Sequence, residues 1–311
     1  MVKNYKSIFL VVFAGIITLL NVQTLYSQEI NIFKYSDFDL KGPVKSCMMI
    51  TDYGKEEFDF NEAGLLTQSI THYNDDDFDI TIYKYADGEL KEKRFENYRD
   101  GVFDRSTSIA NIYTIDATGT NGTKKITEKI ISYNKEFLDQ YEYYYDEDNQ
   151  LVKITRTNND GIDETLIEYS TLKGEHTTSY FLNSVLLKTV RITETNSKTK
   201  TYRKVKLVTD YLNGEPNSAK EEIFDAKNKL ISETNLVFND KLNKWVPKET
   251  NTYSYNEAGM LLELGTKIGQ GTSSKKYIYQ FDNTVNSNWV KQIVTPDNTY
   301  VTRRIKYFIV K

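Results

Sequence analysis

Hydrophobic positions along the 311 residues fall into two patterns. The first is a single unbroken apolar run, Ile8 to Leu20, preceded by Lys3 and Lys6 and followed by polar residues and the small Ser27. A short basic region, an apolar run and a small-residue boundary are the layout of a secretory signal, with cleavage expected after Ser27. The run is shorter than the about 20 residues that a membrane-crossing helix needs. The mature chain, residues 28 to 311, is therefore expected to be exported and to keep no stable membrane span. The second pattern is alternation. Tyr277, Tyr279 and Phe281 alternate with Ile278 and Gln280, and Val205 and Leu207 alternate with Lys204 and Lys206. No helical stripe stands out after residue 28, so period two predicts strands. With only four prolines in the chain, long ladders meet few interruptions.

The alternation is organised by a repeat. Phe58-Asp-Phe-Asn-Glu-Ala-Gly64-Leu-Leu returns as Tyr253-Ser-Tyr-Asn-Glu-Ala-Gly259-Met-Leu, and Tyr143-Tyr-Tyr-Asp-Glu-Asp-Asn149-Gln-Leu has the same form. Weaker copies start at Tyr83 and Ile223, and Tyr279-Gln-Phe-Asp282 keeps the first half. Two aromatics at i and i+2 project from one face of a strand. Asp or Asn opens a turn by bonding its own backbone, and Gly or Asn takes the positive φ that a tight turn needs. The leucine starts the returning strand, so each copy predicts a β-hairpin.

The aromatic-x-aromatic-Asp/Asn-x-x-Gly/Asn-x-Leu unit resembles the YD repeat of Rhs-type proteins, and especially secreted bacterial proteins that carry scattered, degenerate copies of it. Asp39 to Ser46 resembles the opening strand of that group, Asn288 to Ile293 its tryptophan segment, and Asn239 to Glu249 its Trp-containing hairpins. The likeness spans roughly residues 39 to 308 and implies a β fold and an exported protein. The large Rhs members build such repeats into a shell around a toxin segment. Nothing here resembles that segment, and the copies are expected to be too few and irregular for a closed shell.

Composition adds to the picture at three points. Without residues 1 to 27 the chain holds 38 basic and 44 acidic groups, a net charge of −6 that gives no reason to expect nucleic acid or an anionic membrane surface as partner. Mean hydropathy is −0.57, low for a thick core, while 24 Tyr and 15 Phe dominate the large apolar residues. Tyrosine suits a half-wet pleated surface. The one cysteine, Cys47, has no disulfide partner within the chain and is expected to be a small buried hydrophobe rather than a reactive thiol.

Candidate chemistry is thin. His72 and His176, the only histidines, stand in no metal-ligand or triad spacing and read as solvated strand residues. No nucleophile elbow or phosphate loop occurs, and the glycine-rich Gly265 to Gly271 reads as a hairpin loop. Asn74 to Asp79 and Asn158 to Glu164 are the acidic clusters that could hold calcium, but turn chemistry explains them better. In the second, the first ligand position falls on Arg156 and the twelfth on Ile167. Tyr141, Tyr143 and Tyr145 share a face, as do Tyr253 with Tyr255 and Tyr277 with Tyr279, where they could stack sugars or simply brace their cross-strand neighbours. The terminal Val310-Lys311 and the mixed charges argue against an outer-membrane barrel.

The expectation is thus a signal peptide (1 to 27) and a single domain (28 to 311). Its fold is an all-β antiparallel meander of hairpins in an elongated, twisted or curled open sheet, not a closed transmembrane barrel. It would serve as a secreted or envelope-associated, non-catalytic structural or interaction module with an unknown protein or glycan partner. No catalytic, cofactor or metal residue is assigned. The alternative is a carbohydrate-binding or carbohydrate-active hydrolase working through an aromatic face and carboxylates.

Overall fold

The computed structural model describes residues 31–117, 123–195 and 202–309. The signal-peptide reading lies outside them. Twenty antiparallel strands form one sheet. The first five are β1 (Val44–Thr51), β2 (Gly54–Phe60), β3 (Leu66–His72), β4 (Phe78–Ala86) and β5 (Glu89–Arg99). Next come β6 (Val102–Asp116), β7 (Lys124–Ser132), β8 (Phe137–Tyr145), β9 (Leu151–Asn158) and β10 (Gly161–Leu172). The second half runs β11 (Glu175–Leu182), β12 (Val185–Thr195), β13 (Arg203–Leu212), β14 (Glu215–Phe224) and β15 (Leu230–Asn239). It ends with β16 (Lys244–Tyr255), β17 (Leu261–Ile268), β18 (Gly271–Phe281), β19 (Trp289–Thr295) and β20 (Thr299–Tyr307).

Each strand pairs with the next, and β20 then pairs with β1, placing Ile305 opposite Cys47 and Arg303 opposite Met49. The expected meander of hairpins is present, but the open sheet is not: the chain closes into a barrel. Closure leaves no unpaired edge, the usual liability of a long sheet. The copies of the repeat proved sufficient for a shell because unrelated hairpins fill the intervals between them. Twenty strands about 4.8 Å apart and tilted about 40° give, for a circular section, a backbone diameter of about 40 Å.

Because the chain goes up and down, β1 starts and β20 ends at the same rim, here called the terminal rim. All the turns of the repeat lie there, and they share one mechanism. Asn61 Oδ1 accepts the Leu65 N–H and the Gly64 N–H bonds back to the Asn61 carbonyl. Asp146, Asp225 and Asn256 repeat the scheme with Gln150, Lys229 and Met260. The left-handed position is Gly64 (φ 80), Asn149 (φ 57), Asn228 (φ 58) or Gly259 (φ 78), as the motif requires. The Tyr83 copy, one residue shorter, turns on Asp87 and Gly88. The Tyr279 copy closes with a longer turn before Trp289.

Two expected boundaries shift. The opening strand is β1 rather than Asp39 to Ser46, since Tyr35–Phe38 is a short 3-10 helix and Asp39 is left-handed (φ 53). Gly265 lies inside β17, paired with Thr252 and Ser274, and only residues 269–270 form the turn before β18. A Cβ at Gly265 would sit 2.7 Å from the Thr252 hydroxyl, so the glycine answers a close side chain rather than a bend.

The registers separate the two faces. Cys47, Phe58, Ser69, Thr81, Phe95 and Ile109 are successive partners across β1 to β6, and following the pairings through all twenty strands returns to the same face. On that face Leu40, Val44, Cys47, Phe58, Tyr83 and Trp289 gather around Phe33, Tyr35 and Phe38 of the N-terminal segment. One segment packs against strands on both sides of the β1–β20 seam, as a plug seated on a concave wall does. This is the inner wall, and the core is concentrated on it at the terminal rim.

Candidate functional site

Tyrosine lines the inner wall. Tyr83, Tyr113, Tyr143, Tyr145, Tyr253 and Tyr279 all carry inner-wall parity, and a recurrent staple fixes three of their companions. The hydroxyls of Tyr85, Tyr169 and Tyr255 donate to the carbonyls of Leu66, Leu151 and Leu230, the leucines that begin the preceding returning strands, at 2.7–2.9 Å. Each copy is thereby tied to a neighbouring hairpin. Burial raises the Tyr85 and Tyr255 hydroxyls to about 12, so they stay protonated donors.

Several charges on this wall are held by neighbouring side chains. Asn111 and Tyr113 both donate to Glu128 Oε1, at 2.6 and 2.9 Å, and Tyr143 donates to Oε2 at 2.8 Å. Burial lowers the pKa of nearby Lys93, and the charge of Glu128 opposes that effect. Across the barrel Lys206 meets Glu222 at 2.9 Å and Lys220 meets Glu233 at 2.9 Å. Glu222 and Glu233 are direct cross-strand partners. Two carboxylates facing each other on a concave wall invite an acid–base reading, but each is engaged by its own lysine, so the four residues form two neighbouring cross-strand ion pairs. At the seam Arg303 is 5% exposed, lies 3.4 Å over the Trp289 ring and donates to the Phe38 carbonyl at 2.9 Å. Burial pulls its pKa down to about 10. Cys47 beside it is 1% exposed, its thiol pushed up to about 11 by burial.

The structure does not bring the sequence candidates into one site. Tyr141 and Tyr143 stack at 6.3 Å on β8, while Tyr253 with Tyr255 and Tyr277 with Tyr279 occupy a different sector. The acidic clusters sit at the rim opposite the termini and behave as turns. Asn74 Oδ1 caps the Asp76 and Asp77 N–H groups, and Asn158 Oδ1 caps those of Asp160 and Gly161. His72 is not solvated as expected: it is on the outer wall, 17% exposed, 3.1 Å from Glu57 and against Phe78. His176 bonds Thr171 beside a small recess that includes Tyr169 and Ile192. Among the described residues no group of three or more His, Cys, Asp or Glu is placed to hold a metal ion. Sequence reasoning missed Lys93, Glu128, Lys206, Glu222, Glu233 and Arg303, whose partners lie across strands rather than along the chain.

No protein-family model matches this chain, and no curated protein does. Among solved structures it is similar to a porin-like protein from Bacteroides uniformis ATCC 8492, at 9% identity and a TM-score of 0.30, over 86% of this chain and 99% of that one. A porin-like protein from Bacteroides vulgatus ATCC 8482 matches at 11% identity and a TM-score of 0.23 over the same shares. At those scores the likeness carries no argument about fold or function; the barrel rests on its own strand pairings. No helix among the described residues is long and apolar enough to cross a membrane, which says nothing of strands.

Proposed function

We propose that the protein is an exported, non-catalytic β-barrel that acts as a binding or structural module, taking its partners from water rather than spanning a bilayer. The sorting of side chains between the two walls carries this reading. Tyrosine is concentrated on the inner wall, and the outer wall, although it holds the aromatic clusters Phe78–Tyr98–Phe103 and Phe238–Trp245, is laced with ion pairs: Lys84 and Arg94 meet Glu92, Lys125 meets Glu142, and Lys153 meets Glu164. A membrane barrel shows the reverse, an apolar band outward, and each lysine or arginine held at bilayer depth costs about 2–4 kcal/mol. The test is to offer the mature chain, residues 28–311, to phosphatidylcholine vesicles and to a planar bilayer. The protein should stay with the aqueous fraction and give no conductance; stable insertion with unitary conductance would overturn the proposal.

A second reading, glycan binding, is favoured by the parallel Tyr141 and Tyr143 rings, inclined by 15° on the inner wall. A glycan array separates the two: a defined sugar, lost on Tyr141→Ala, would turn the module into a lectin-like one.

A further inference from the structure

The two rims differ. At the far rim, opposite the termini, ten turns join odd strands to even ones, and every one of these hairpins holds a large apolar side chain in solvent. Tyr53, Val102, Ile162, Val185, Leu212 and Ile268 do so at six of them, with Ile162 70% and Val102 68% exposed, and the other four carry tyrosine or leucine in the same place. At the terminal rim the turns Asn61–Leu65, Asp87–Gly88, Asp146–Gln150 and Asp225–Lys229 expose none, and Leu172 and Val285, 71% and 102% exposed, stand singly in two others. Isolated exposed apolar residues are ordinary. A ring of them that recurs at every hairpin of one mouth of a closed barrel is a patch, and patches mark contacts.

Parity and charge define what the patch fits. Val102, Val185, Leu212 and Ile268 have inner-wall parity, so the apolar lip faces into the mouth as well as along it. The far-rim turns are acidic: Asp75, Asp76, Asp77 and Asp100 crowd one sector, and Lys135 and Lys241 are the sole basic residues in any of those turns. An anionic lipid surface would be repelled, and a second copy docked mouth to mouth would set acidic turns against acidic turns. We propose that the far rim docks a cationic polypeptide, which seats an apolar face in the mouth and sets its basic residues against the acidic turns.

The probe is a labelled amphipathic lysine–leucine peptide, with its glutamate–leucine counterpart as control, titrated with residues 28–311 and followed by fluorescence anisotropy. The basic peptide should bind, weaken at high salt and be preferred over the acidic one. Combining Val102→Ser, Val185→Ser, Leu212→Ser and Ile268→Ser should weaken it by at least about tenfold. Leu172→Ser with Val285→Ser, at the terminal rim, should leave it unchanged. These side chains are exposed, so an unaltered circular dichroism spectrum is expected for both variants. Equal binding of the two peptides, binding of neither, or equal loss in both variants would overturn the proposal. So would salt-insensitive flotation with phosphatidylcholine vesicles that disappears in the four-serine variant, which would assign the rim to lipid. That outcome differs from failure of the aqueous-barrel reading, whose sign is conductance through an inserted barrel.

Discussion

Glu56 shows what a single inner-wall residue does to the whole fold. It faces inward between Met49 and Thr71, and burial raises its carboxyl to about 7. The group is an acid with a raised folded pKa, so between about 4.5 and 7 the folded state holds a proton that the unfolded chain has released. Stability therefore falls as pH rises through that window, by up to about 3 kcal/mol. Urea unfolding at pH 5 and pH 8 should show the loss, and Glu56→Gln should remove that part of it. Glycine gives a second test at this scale. A Cβ on Gly64, at φ 80, would lie 2.5 Å from the Tyr35 ring, whereas one on Gly88, at φ 79, meets nothing within 4 Å. Gly88→Ala should cost about 1–2 kcal/mol from backbone strain alone. Gly64→Ala should cost about 1–3 kcal/mol more, from overpacking against the N-terminal segment, and the urea midpoints of the two variants give the comparison.

At the scale of the hairpin, the tyrosine staple is the unit that matters. Tyr255→Phe removes a donor from the Leu230 carbonyl and should cost about 1 kcal/mol, and Tyr85→Phe the same at Leu66. The sites lie on distant strands, so the double variant should be additive in thermal or urea unfolding. The turn half of this unit was legible in the sequence, because Asn61 with Gly64 and Asp225 with Asn228 are local devices whose bonds close within five residues. The staple was not, because its acceptor is a main-chain carbonyl that has no signature. The same holds for the wall pairs: nothing between Lys206 and Glu222, or between Asn111 and Glu128, announces that they will meet. Gly265 misled for the opposite reason, since a glycine that makes room for a side chain looks like one that makes a bend.

For the molecule as a whole, alternation predicts strands and neighbouring hairpins but is the same whether a sheet stays open or closes. The decision rests on one pairing, β1 with β20, whose members lie at the two ends of the described chain and share no motif. Removing residues 299–311 should leave β1 and β19 as bare edges, and light scattering should then report oligomers or aggregates where the full chain is monodisperse. A truncated chain that stayed monodisperse would mean that the seam is dispensable.

The seam also sets an order of events. Cys47 faces Ile305, so the first strand must wait for nearly the entire chain before it finds its second neighbour. Hairpins can form one after another as the chain emerges, each paying only a small loop-closure cost. Until the last strand arrives, however, the growing ribbon carries one unmet edge at each end. The hazard to the cell is then the nearly finished molecule, and the final strand works as a latch whose arrival time limits how long that ribbon stays adhesive.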